Sequence, residues 1–101
     1  MIEMEIRVKI LPHKRTEFIQ AIQSICESHT HSQANLPFNI YQDLNDDNLF
    51  YCLGKWDSRK HMEAYRQTLS FEMLMGAIQV LGEIQQAQIH DISTTDEMRI
   101  S

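Results

Sequence analysis

Few side chains in this chain could do chemistry. They are five histidines, two cysteines, three tyrosines and one tryptophan. His61 and Tyr65 stand four residues apart, so on a helix they share a face. A neutral imidazole beside a phenol can take a proton from a substrate hydroxyl, because histidine titrates near neutral pH. The plainer reading makes Tyr65 a core residue and His61 a solvated one. His90 alternates in phase with Ile84 and Ile92, which would turn it toward a buried surface as a lesser proton acceptor. Trp56 could line a pocket and stack on an aromatic substrate, or pack between layers of the fold.

Other chemistries find little support. His29 and His31 flank Thr30 at the end of the predicted helix, which suits a helix C-terminus better than a metal. Cys52 would need a basic neighbour to become a thiolate, and Lys55 is the nearest. Cys52 and Cys26 both sit in apolar patterns and read as free thiols packed as small hydrophobes. Gly54, Gly76 and Gly82 are too scattered for a phosphate-cradling or dinucleotide loop. No zinc pattern, Ser-His-Asp set or carboxylate pair is legible. The expectation is a protein without metal or cofactor.

A chain of 101 residues suits one domain. Its formal net charge of −5 argues against nucleic acid or an anionic membrane as partner. No apolar run approaches the ~20 residues that span a bilayer. The first ten residues lack a signal-peptide core, so the expected location is cytoplasmic.

The elements that must hold these residues follow from periodicity. Ile2, Met4, Ile6, Val8 and Ile10 alternate with Glu3, Glu5, Arg7 and Lys9, which predicts a strand. Pro12 ends it and opens an amphipathic helix carrying Phe18, Ala21, Ile22, Ile25 and Cys26 inward. Residues 38–42 and 49–56 read as strands joined across a polar Asn45–Asn48 turn. Asp57 and Ser58 are candidate N-caps of a second helix. It runs through Met62, Tyr65, Leu69 and Met73 to Leu81, with Ser70–Phe71 marking a break into two shorter helices and Gly82 as C-cap. Residues 83–92 read as a fourth strand, and 93–101 as a polar tail.

The order β-α-β-β-α-β predicts an α+β, ferredoxin-like domain over residues 1–92, with an antiparallel sheet and both helices on one face. Leu49, Tyr51 and Leu53 fall on one face of the third strand, and Phe50, Cys52 and Trp56 on the other. A sheet apolar on both faces asks for a homodimer, packed sheet against sheet.

The acidic turn Asp43 to Asn48, the strand Leu49 to Trp56 and the capped helix from Asp57-Ser58-Arg59 through Leu69-Ser70-Phe71 resemble the antibiotic biosynthesis monooxygenase family of dimeric α/β barrels. That resemblance implies oxygenation without metal or flavin. A small quinol or polyphenol loses a proton in a dry pocket, and its anion then reduces O₂. It also implies a pocket between second helix and sheet, lined by some of Ile6, Tyr41, Cys52, Trp56, Tyr65, Phe71 and Met75. The chain departs from the family at Gly54, where many members carry glutamate, and at Tyr65 and Ser70, where many carry histidine. The haem-degrading branch's asparagine, tryptophan and histidine align with Ile6, Tyr65 and Met75, so haem breakdown is not implied. An alternative is a non-catalytic dimeric module that binds small molecules and has lost the family's polar residues.

Overall fold

A computed structural model describes residues 1–28 and 38–91. Strand β1 (Ile2–Ile10) alternates buried and half-buried along its whole length, as the sequence alternation requires. Its five inward side chains, Ile2 to Ile10, are each at most 5% exposed. Burial of such a side chain contributes about 1.5–3 kcal/mol, so this strand is the axis of the core. A 3₁₀ turn at Pro12–Lys14 leads into helix α1 (Arg15–Ser28), which buries Phe18 and Ile25. The Phe18 ring meets Phe50 at 4.9 Å between centroids.

Strand β2 (Phe38–Gln42) and strand β3 (Leu49–Trp56) form the expected hairpin. Asp43 folds the turn between them by accepting from the backbone N–H groups of Asn45 and Asp46. Helix α2 (Arg59–Arg66) starts at Ser58, whose Oγ accepts from the His61 N–H at 3.2 Å. Helix α3 (Leu69–Leu81) follows, then strand β4 (Gly82–Asp91). The helix break falls earlier than Ser70–Phe71. Thr68 makes it: its hydroxyl donates to the Tyr65 carbonyl at 2.6 Å and accepts from the Phe71 N–H at 3.3 Å.

The antiparallel sheet has order β2-β3-β1-β4, with the helices on one face, which is the ferredoxin-like fold. Paired residues in an antiparallel ladder share a face. Gly54, Cys52 and Phe50 therefore join the inward face of β1, opposite Met4, Ile6 and Val8. The other face carries Tyr41, Tyr51 and Leu53 beside Glu5, Arg7 and Lys9, so it is amphipathic rather than uniformly apolar.

Gly82 ends α3 in an extended conformation, and its small size is what matters. A Cβ there would run into the Lys9 carbonyl oxygen. No helix among the described residues is long and apolar enough to cross a membrane. The His29–His31 pair and the tail from residue 93 lie outside the described residues.

Candidate functional site

The inward face of the sheet and helices α2 and α3 enclose two neighbouring features. The first is a cluster of rings. Trp56 comes from the end of β3, Phe38 from the start of β2, Tyr65 from α2 and Phe71 from the first turn of α3. Phe38 meets Trp56 edge-on at 5.5 Å, and Tyr65 lies 5.7 Å from Trp56 and 5.9 Å from Phe71. Aromatic pairs favour such tilted contacts. Gly54 makes the arrangement feasible: a Cβ there would sit 2.6 Å from the Trp56 ring and 2.9 Å from Phe38. The indole thus fills the space that a side chain at 54 would need.

The second feature is a cleft of about 170 Å³ lined by Met4, Ile6, Phe71, Met75, Arg66 and the Ala87–Ile89 stretch of β4. Its base is apolar, and Arg66 supplies a cation at its rim. A wider surface depression lined by Arg66, Thr68, Phe71, Met75 and Gly76 adjoins it, sharing Arg66, Phe71 and Met75.

Ile6, Phe71 and Met75 meet in one cleft. Cys52 does not join them; it is fully buried beneath, and burial pushes its thiol up to about 12. Tyr41 is a correction. It pairs with Tyr51, so it belongs to the helix-free face, and it is 51% exposed. Trp56 is both ring-cluster wall and lining of a separate depression shared with Lys55, Asp57 and His61.

His61 and Tyr65 share α2 but serve different neighbourhoods. His61 is exposed and borders that outer depression. Tyr65 is half-buried, and its hydroxyl meets Ser70 Oγ at 2.9 Å. Ser70 is 3% exposed, the one buried polar side chain among the described residues. Tyr65 and Ser70 thus bring two hydroxyls together beside the Phe71 ring.

His90 is the second correction. Arg7 pairs with Gln86 but Val8 pairs with Ile84, so Gln85 is the extra residue of a β-bulge. The bulge reverses the alternation. Ile84, Ala87 and Ile89 face the helices, while His90 lies opposite Glu3 on the other face. Arg66 and the Ala87–Ile89 stretch were not anticipated. The bulge hid the strand, and Arg66 sits at a helix end whose position depends on Thr68.

Among the described residues no group of three or more His, Cys, Asp or Glu side chains is arranged to hold a metal ion. The arrangement suits an apolar molecule with a polar or charged substituent, held against rings and methionines.

Comparison with known proteins gives a consistent family. The family model described as "Antibiotic biosynthesis monooxygenase" matches residues 1–76. A Bacillus subtilis (strain 168) protein named "Putative monooxygenase YcnE" is 26% identical over 72 residues, which are 71% of this chain and 76% of that protein. A solved structure from Nitrosomonas europaea, named "Putative antibiotic biosynthesis monooxygenase", superposes with a TM-score of 0.75 at 17% identity, covering 93% of this chain and all of that one. The structure of SnoaB, a cofactor-independent oxygenase from Streptomyces nogalater, superposes with a TM-score of 0.72 at 11% identity over 93% of this chain and 94% of its own. At such identities the two structures establish a common fold.

Proposed function

Because the chain belongs to the antibiotic biosynthesis monooxygenase family, we propose that it oxygenates a small quinol or polyphenol with O₂, without metal or flavin, in the cleft between α2, α3 and the β1–β4 side of the sheet. The observation that carries this reading is the cleft itself: an apolar base of Met4, Ile6, Phe71 and Met75 under a rim with a single cation, Arg66. An apolar base suits both a flat aromatic ring and O₂, and a ring seated on it would displace the water that quenches a reactive anion.

In the proposed reaction the substrate hydroxyl loses its proton. The anion passes one electron to O₂. Radical and superoxide recombine at a ring carbon, and the hydroperoxide loses water to leave a carbonyl. One oxygen atom enters product as the new carbonyl, the other leaves as water with the hydroxyl and ring-carbon hydrogens, and the substrate supplies all four electrons. Tyr65, whose ring packs against the cleft-lining Phe71, orients the hydroxyl once the substrate draws its own away from Ser70. His61, one turn earlier on α2, carries the proton to solvent. The active form is a homodimer, located in the cytoplasm, packed through the helix-free face.

Oxygen uptake by metal-free protein with a panel of dihydroxynaphthalenes and anthrones tests this. Wild type should exceed the buffer rate, and His61→Ala and Tyr65→Phe should lose about 10²- to 10⁴-fold, the usual span of general acid–base assistance. Two variants as active as wild type would dismiss the pair.

A second reading has its own support. The Tyr65 and Ser70 hydroxyls bond each other, and Gly54 gives up its side chain to the Trp56 ring. Both favour a binding module that holds the aromatic molecule and does not transform it. Binding of panel members with no uptake above buffer on any of them would select that reading.

A further inference from the structure

Arg66 ends α2 exactly where the inner cleft opens into the surface depression, and it lines both. Its ion pair among the described residues is with Glu63, three residues back on the same helix, at 3.2 Å. Both side chains are nearly half exposed, 42% and 49%. Exposed pairs of that kind are weak and easily surrendered. A guanidinium so placed can turn to a planar anion that enters the cleft, and it matches a carboxylate with two parallel hydrogen bonds.

Gly76 supplies an independent observation. It lies in the interior of α3 and lines the same depression as Arg66 and Met75. A helix interior disfavours glycine relative to alanine. At Gly54 and Gly82 a Cβ would collide with neighbours, but at Gly76 it would meet nothing within 4 Å. Packing against the described residues therefore does not call for glycine here. Among the described residues, what the missing side chain leaves is open space against the helix backbone, in the same depression as Arg66.

We propose that this cleft selects acidic aromatic compounds: a flat ring held between Phe71, Met75 and Ile6, and a carboxylate held by Arg66 over the space that Gly76 leaves open. The proposal rests on reading the cleft as the ligand site. It narrows the substrate class from phenols in general to phenols bearing an acid group.

The test is calorimetric titration with two probes that differ only in the acid group, a hydroxynaphthoate and its parent naphthol. The wild type should bind the hydroxynaphthoate about tenfold more tightly or better, the scale of one charge-assisted hydrogen-bond pair. Arg66→Gln should erase that preference, bringing the hydroxynaphthoate to the naphthol's affinity or below it. Arg59→Gln, which removes an exposed charge at the other end of α2, should keep it. Gly76→Leu, a good helix former placed in open space, should weaken both probes. If the wild type binds both probes equally, or if the preference survives Arg66→Gln, the inference fails while loss of naphthol binding in Gly76→Leu still upholds the cleft. If neither probe binds, the cleft is not a ligand site and both readings fall together.

Discussion

At Gly54 a missing side chain decides where a ring lies. The Trp56 indole and the Phe38 ring occupy the volume a Cβ would take, so even alanine must push one of them aside. Overpacking of this kind costs about 1–3 kcal/mol. Gly54→Ala should lose that much in urea denaturation, with altered fluorescence from the only tryptophan. Unchanged stability and emission would mean the ring is not held there. Cys52 gives a pH test. Burial raises its thiol from 9.0 to about 12, so the folded state holds its proton more tightly than the unfolded chain does. The resulting stability is intact below pH 9 and is lost as pH rises toward 12, by about 1.4 kcal/mol per pH unit. Cys52→Ala should flatten that alkaline slope in denaturation midpoints. At this scale the sequence revealed the His61–Tyr65 spacing and the inward turn of Ile6, Phe71 and Met75. It did not reveal that Tyr65 bonds Ser70, because that contact crosses a helix break whose position depends on one threonine hydroxyl.

Strand β1 was legible because period-two alternation leaves little choice of face, and β2 and β3 as apolar, aromatic runs on either side of a polar turn, which left the face of Tyr41 open. Two elements read less well. The helix break at Thr68 hid behind Ser70 and Phe71, since Thr68 caps only if the chain has already turned at Gln67. In β4 the bulge at Gln85 breaks the alternation, which turned His90 outward and put Ala87 and Ile89 against the cleft. Weak alternation in that stretch was the one visible sign. Helix α3 offers a measurement. Gly76 sits in its interior with open space around its Cα, so Gly76→Ala should stabilise the protein by about 0.5–1 kcal/mol. A thermal melt reads this directly. Destabilisation would mean that the backbone at Gly76 touches something close, such as a second chain.

At the scale of the whole molecule, the described helices leave one sheet face uncovered. That face carries Tyr41, Tyr51 and Leu53, and also Arg7, whose Nε is buried with no hydrogen-bond partner among the described residues. A second copy packed there would cover the rings. Light scattering in dilute neutral buffer should therefore give about twice the 11.9 kDa chain mass, and Leu53→Arg should halve it. A wild-type monomer at every concentration would remove the dimer. The monooxygenase reading is tested most directly by the fate of the oxygen atoms. Metal-free protein should be given a substrate that drives oxygen uptake, under heavy-isotope dioxygen, and the product analysed by mass spectrometry. The account predicts one heavy atom per product molecule and the other in water. Oxidised product carrying no heavy oxygen, with the label in peroxide, would mean the protein is an oxidase and would contradict the account.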